Sequence, residues 1–167
     1  LLVERINSDL ANVLGNLVNR TIAMGNKYFD GHVTNKNVSG EFDNELKELI
    51  KSIPSKLEED IDTVHLSLAL DHVFEIFRRS NKYIDETTPW ILAKDENSRD
   101  RLETVIYNLL ESIRVGAYLL SPFLPETSEK IFKQLNISDK NDLFNENNEY
   151  NLNKPEPLFM RIEVKNE

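Results

Sequence analysis

The sequence predicts an all-α protein, an antiparallel bundle of about five helices with an extended C-terminal tail. Three observations predict it. Apolar residues recur with the 3.6-residue period of a helix that buries one face, and Asp30-Gly31, Pro89, Pro122 and Pro125 punctuate the periodic stretches. Only the last run, around 158–164, alternates with period two. The length of 167 residues suits one domain whose core needs neither disulfide nor metal, and there is no Cys to supply either.

The first helix is expected from 7 to about 30, burying Leu10, Val13, Leu14, Leu17, Val18, Met24 and Tyr28. Asn7 or Ser8 suits its N-cap, Asp9 complements the N-terminal dipole, and Asp30-Gly31 supplies the stop. After a polar loop through Gly40, a second stretch from 42 to about 60 contains Pro54. Proline lacks an N–H and crowds the preceding turn, so a kink or break is expected there. A third helix, 66 to about 85, places Leu66, Leu70, Val73, Phe74, Phe77 and Ile84 on one side. Pro89 ends it by disfavouring helical geometry at Thr88.

A fourth helix from near Ser98 to Ser121-Pro122 carries Leu102, Val105, Ile106, Leu109, Ile113, Gly116 and Leu120 on its apolar side. Pro125 opens a short fifth that ends at Leu135, with Glu126 and Glu129 early and Lys130 and Lys133 late, as the dipole favours. Residues 136–157 are rich in Asn, Asp and Glu and read as a loop. Leu158, Met160, Ile162 and Val164 then alternate with Phe159, Arg161, Glu163 and Lys165, which predicts an extended segment packing one side on the bundle. With no internal repeat and no Gly/Ser linker, 1–136 form the bundle, and 137–167 a polar loop and tail of the same domain.

No run approaches the roughly 18 apolar residues of a membrane span, and the N-terminus lacks the basic and apolar regions of a signal peptide. No membrane partner and a cytoplasmic location are expected. A start on Leu1 instead of Met suggests a piece of a longer protein. The net charge of −9 taken alone argues against nucleic acid, DNA included, because Lys and Arg neutralising phosphates supply much of that affinity. The charge is uneven, however. Residues 1–40 have four basic and three acidic groups and 98–136 balance, whereas 41–64 have three against eight. Arg78, Arg79, Lys82 and Lys94 bracket Trp90. Net acidity therefore predicts weak non-specific attraction and a narrow contact surface for any RNA.

Searches for reaction chemistry return little. His32, His65 and His72 lack a Glu three residues earlier, so the paired Glu-x-x-His of a di-iron bundle is absent. Asp62-x-x-His65, beside Glu58-Glu59-Asp60, reads as a solvated helix end. There is no H-E-x-x-H, phosphate-cradling Gly loop or G-x-S-x-G elbow, and only five glycines could build such loops. Asp85-Glu86 and Asp95-Glu96 lie among solvent-type residues with no apolar pocket to separate their pKa values. No catalytic residue, metal ligand or cofactor is expected.

What stands out is a set suited to holding an unpaired base. With Leu10 at zero and about 100° per residue, Asn16 falls near 240° and Arg20 near 280°, adjacent at the border of the buried face. An amide that donates and accepts, beside a guanidinium fork, can hydrogen-bond the base edges that single-stranded RNA exposes. The alternative is that both cap loops or pair with carboxylates. Trp90 follows Pro89 at a helix end, where a rigid turn can present an indole outward. A base stacked on it is worth roughly 1–3 kcal/mol; the alternative is a core Trp.

Several runs carry a resemblance. Asn7-Ser8-Asp9-Leu10-Ala11-Asn12-Val13-Leu14-Gly15-Asn16-Leu17-Val18-Asn19-Arg20, Lys27-Tyr28-Phe29-Asp30-Gly31 and Asn81-Lys82-Tyr83-Ile84-Asp85-Glu86-Thr87-Thr88-Pro89-Trp90 resemble the C-terminal helical, anticodon-binding domain of methionyl-tRNA synthetase. Ser121-Pro122-Phe123-Leu124-Pro125 and Lys154-Pro155-Glu156-Pro157-Leu158-Phe159 extend the similarity, in order, over nearly the whole chain. Class I synthetases for valine, leucine, isoleucine and cysteine share a helical-bundle domain, but this combination of runs points to the methionine members.

The resemblance implies a domain that docks on the anticodon stem and reads the CAU anticodon of methionine tRNAs. By that resemblance the residue matching Trp90 stacks on the first cytosine and those matching Asn16 and Arg20 bond anticodon bases; Lys27 and Lys94, cations near these positions, are separate candidates for backbone contacts. Asn12, Asn81 and Tyr83 lie in the same runs and read as internal hydrogen-bonding residues that fix the bundle. The HIGH-type and KMSKS-type motifs that handle ATP are absent, so the chain is expected neither to activate methionine nor to charge tRNA alone. ATP and methionine would bind a catalytic domain of the same full-length chain. Met160 stands where the resemblance leads one to expect proline, and the oligonucleotide-binding barrel appended to some members is absent. The readings from other classes are an acidic helical protein-interaction module, with Trp90 as anchor and 41–62 as its charged face, and the anticodon-binding domain of another class I synthetase.

Overall fold

A computed structural model describes residues 2–153. Its elements are α1 (Leu2–Asp9), a π-helical turn (Leu10–Gly15), α2 (Asn16–Phe29), β1 (His32–Thr34), α3 (Asp43–Asp62), α4 (Leu66–Thr87), α5 (Pro89–Leu92), α6 (Arg99–Leu120), α7 (Pro125–Leu135) and β2 (Glu149–Asn151). The α1–π–α2 segment forms one rod and α5 is a single turn, so the fold is an all-α bundle of five long rods. The tail over 158–164, including Met160, lies outside the described residues.

Helix α6 is the axis. It packs against α2, α3, α4, α5, α7 and β1, and is buried nearly all round, from Leu102 to Leu120 except at Tyr118. The apolar side read from its sequence is thus only part of the story, because its polar residues are buried in pairs. Glu111 accepts from both Nε and Nη2 of Arg114, and neither side chain is exposed. Arg114 also donates to the carbonyls of Asp139, Asn141 and Leu143, which ties the 139–148 loop to the core.

Several local expectations are corrected. Helix α1 begins at Leu2, so Asn7 and Ser8 lie inside it and do not cap it. Helix α3 runs through Pro54 without a break. Thr88 adopts a left-handed conformation (φ 46°), and Pro89 starts a new helix instead of only ending the old one. Leu66 is exposed at the start of α4, whose buried face begins at Ala69. The two polar loops hide strands: β1 and β2 pair antiparallel, with Val33 opposite Tyr150. Asp60, read as part of a solvated acidic run, is buried against the His72 imidazole.

The π turn has the largest consequence. It fits one extra residue into a turn, which rotates everything downstream. The buried face of α2 therefore passes through Val18, Ile22, Gly25 and Phe29, while Met24 and Tyr28, expected inside, are only half-buried. Asp30 in the left-handed region and Gly31 (φ 81°) end α2 as expected.

Candidate nucleic-acid interface

Asn16 begins α2 immediately after the π turn. At about 100° per residue Arg20 and Lys27 lie within about 40° of it, and Asn16, Arg20, Ala23 and Lys27 are all exposed, so one polar stripe runs along the helix. Asn16 Nδ2 donates to the Asn12 carbonyl at 3.0 Å, which leaves its second amide hydrogen for another partner. Arg20 lies 3.7 Å from the Asp85 carboxylate, with both side chains largely open to solvent. The carboxylate pairing weighed against base contacts for Arg20 is therefore present here, as a loose surface pair of small energy.

Helix α4 locks this stripe from behind. Asn81 Nδ2 donates to the Val13 carbonyl inside the π turn at 3.0 Å. That carbonyl also accepts from the Asn16 N–H, so Asn81 adds a second donor to it and ties the end of the π turn to α4. Its reading as an internal fixing residue holds, and so does that of Tyr83. That phenol is fully buried, donates to Asp43 and accepts from Asn108 Nδ2. Burial and the Asp43 carboxylate push the Tyr83 hydroxyl far above its usual range. Arg101 closes the cluster with two bonds to Asp43 at 2.7 and 2.9 Å. Asn12 is the exception: it is exposed and donates only to Ser8 one turn back, so it does not fix the bundle.

Trp90 is 43% exposed, whereas Pro89 before it is buried. The proline anchors the turn and the indole faces outward. Asp85 meets Arg20, and Leu92 and Ala93 share a cleft with Tyr28, so the Trp90 segment lies along α2 between Arg20 and Tyr28. Lys27 Nζ sits 5.5 Å from the Tyr28 ring centroid, and Lys94 is exposed in the turn after α5. The structure thus puts Asn16, Arg20 and Lys27 on one stripe of α2 and brings that helix, through Asp85 and the turn at Leu92 and Ala93, next to the segment that carries Trp90 and Lys94. Of the cations expected around Trp90, Arg79 is no surface group: it is nearly buried and clamped by Glu86 at 2.6 Å and Glu45 at 3.3 Å. Arg78 pairs with Asp71.

No group of three or more metal-ligating side chains occurs among the described residues, and no described helix is long and apolar enough to cross a membrane. The Asp85 partner of Arg20 was not legible in the sequence. Sixty-five residues separate the two, and nothing in either local pattern links them.

A family profile described as the anticodon binding domain of methionyl tRNA ligase matches residues 33–164. The chain belongs to this family. Among its relatives, the methionine–tRNA ligase of Clostridium acetobutylicum is 58% identical over 137 residues, 82% of this chain and 21% of the ligase. That of Bacillus subtilis is 44% identical and covers 99% of this anticodon-binding domain and 26% of the ligase. The free-state crystal structure of Mycobacterium tuberculosis methionyl-tRNA synthetase superposes with a TM-score of 0.84 at 30% identity, over 97% of this chain and 34% of that one. This anticodon-binding domain therefore spans about a fifth to a third of the proteins it matches.

Proposed function

We propose that the domain recognises the CAU anticodon of methionine tRNAs, with one unstacked base, the first cytosine, on Trp90 and the edges of anticodon bases read by Asn16 and Arg20. The observation that carries this reading is the exposed indole, preceded by buried Pro89, on the segment whose Asp85 meets Arg20 of the α2 stripe. The part of the indole left open to solvent offers a face, and every base has a face to stack on it. Arg20 supplies a planar fork and Asn16 a donor and acceptor, the two chemistries that base edges require.

Because Arg78 and Arg79 are held by carboxylates, phosphate attraction is small and affinity leans on stacking and base edges. Lys27 and Lys94 are the backbone contacts of this reading. Recognition positions the acceptor end in a catalytic domain of the full-length chain, which binds ATP and methionine. The 167 residues by themselves attach no methionine to tRNA, since they carry no constellation for adenylate chemistry. Titrating a methionine anticodon stem-loop against the domain and its Trp90→Ala form, at two salt concentrations, tests the proposal. Loss of affinity and of discrimination against a changed first base is expected. Equal affinity and equal discrimination in the two proteins would sink it.

A further inference from the structure

The π turn leaves Tyr28 half-buried, and the side chain does not fill the space it faces. Tyr28, Leu92, Ala93, Arg99 and Leu102 line a cleft of about 380 Å³ between the end of α2 and the α5–α6 connection. This lies at the small end of the roughly 300–1,000 Å³ typical of ligand sites. Two cations flank the aromatic wall. Lys27 Nζ is 5.5 Å from the Tyr28 ring, and Arg99 donates to the Tyr28 carbonyl at 3.2 Å with its guanidinium 4.6 Å from the Phe29 ring. Asp95 is committed to the turn before α6, where it accepts from the Asn97 amide and the Ser98 hydroxyl. Glu96 remains an exposed acceptor in the cleft wall.

An aromatic face with apolar walls, flanking cations and two carboxylates, of which Asp95 is engaged by its own turn, fits a single-stranded nucleotide site: the ring stacks a base, the cations meet phosphate, and Glu96 accepts from an exocyclic amine. The cleft and Trp90 share one structural unit, since Leu92 in the cleft wall and Trp90 belong to the same single turn, α5. Eight residues of α2, about 12 Å, separate Arg20 from Tyr28, a span that a few nucleotides of one loop cover. We propose that this cleft is a second nucleotide subsite, which takes an unpaired base of the same anticodon loop other than the one on Trp90. The proposal rests on the reading of the domain as an anticodon binder.

The test measures anisotropy of a labelled methionine anticodon stem-loop with the 167-residue chain, using the native stem-loop and versions abasic at each loop position in turn. Ala93→Trp, made at an exposed position, fills the cleft without touching the core, and an unchanged thermal midpoint verifies that it folds. Ala93→Trp and Tyr28→Ala are expected to weaken binding about tenfold, whereas Tyr28→Phe keeps it. One abasic position, different from the one coupled to Trp90→Ala, should show the same loss, with no further loss when combined with Ala93→Trp. The subsite is overturned if Trp90→Ala weakens binding while Ala93→Trp does not, or if Ala93→Trp weakens every abasic stem-loop equally, as a mere clash would. If Trp90→Ala changes nothing, the stacking reading fails; an effect of Ala93→Trp confined to one base would still uphold the cleft.

Discussion

Trp90 owes its exposure to two residues before it. Thr88 turns the chain through a left-handed conformation and Pro89 buries its ring, so the next side chain points away from the core. Removing the indole should therefore cost binding more than folding. Trp90→Ala should lower the unfolding free energy by only about 1 kcal/mol. In a stem-loop titration it should cost about 1–3 kcal/mol of affinity. Arg20→Lys probes the fork: the charge stays, the planar pair of donors goes, and discrimination among anticodon bases should fall more than overall affinity. Gly116 answers to packing alone. A Cβ there would lie 2.3 Å from Phe77 Cε1, and with the ring held between α4 and α6 the clash cannot be relieved cheaply. Gly116→Ala should destabilise by about 1–3 kcal/mol in denaturant unfolding.

Among the elements, the first rod shows where local pattern stops. Leu10, Leu14, Leu17 and Val18 are buried as their spacing predicts. Beyond them the π turn shifts the buried face by one residue, from Met24 and Tyr28 to Gly25 and Phe29. No signature of the turn exists in the run Leu10-Ala11-Asn12-Val13-Leu14-Gly15, because what stabilises it is Asn81, contributed by α4. Asn81→Ala is expected to cost about 0.5–1.5 kcal/mol by removing its bond to the Val13 carbonyl, which keeps only the Asn16 N–H. It should also weaken stem-loop binding, since the phase of Asn16 and Arg20 depends on that turn. Comparing hydrogen exchange at Val13 to Leu17 with the binding loss would check that the two travel together. The β1–β2 pair was equally illegible: three-residue strands carry too little alternation to read, and their pairing closes over 115 residues.

Across the whole molecule, acid stability is set by buried carboxylates. Burial by itself would raise the Asp43 carboxyl, but bonds from Arg101 and Tyr83 outweigh it and hold the group below its usual value. Asp139 follows the same logic, with burial opposed by Asn148, Asn145 and Arg114. A carboxyl depressed in the folded state stabilises the fold above its unfolded pKa of 3.8, and that contribution is lost as pH falls through the folded value. The thermal midpoint should therefore be flat near neutrality and decline below about pH 4. Asp43→Asn should be less stable at neutral pH and show a shallower acid decline. The cluster joins the starts of α3 and α6 to the end of α4, so the same substitution loosens the end of the bundle that carries Trp90.

The sequence by itself determined the five rods, their stops at Asp30-Gly31, Thr88-Pro89 and Pro122, and the residues that resemble an anticodon reader. Helical period, proline and the left-handed turn are local properties, and they can be read without knowing what packs where. Tertiary structure decided the rest. It chose the face of α2 through an amide reaching in from α4, buried Asp60 and nearly buried Arg79, which composition assigned to solvent, and brought Asp85 to Arg20 and the α5 turn to Tyr28. Each of these depends on contacts between residues some 12 to 68 positions apart or more, whose cost and benefit exist only once the chain has closed on itself.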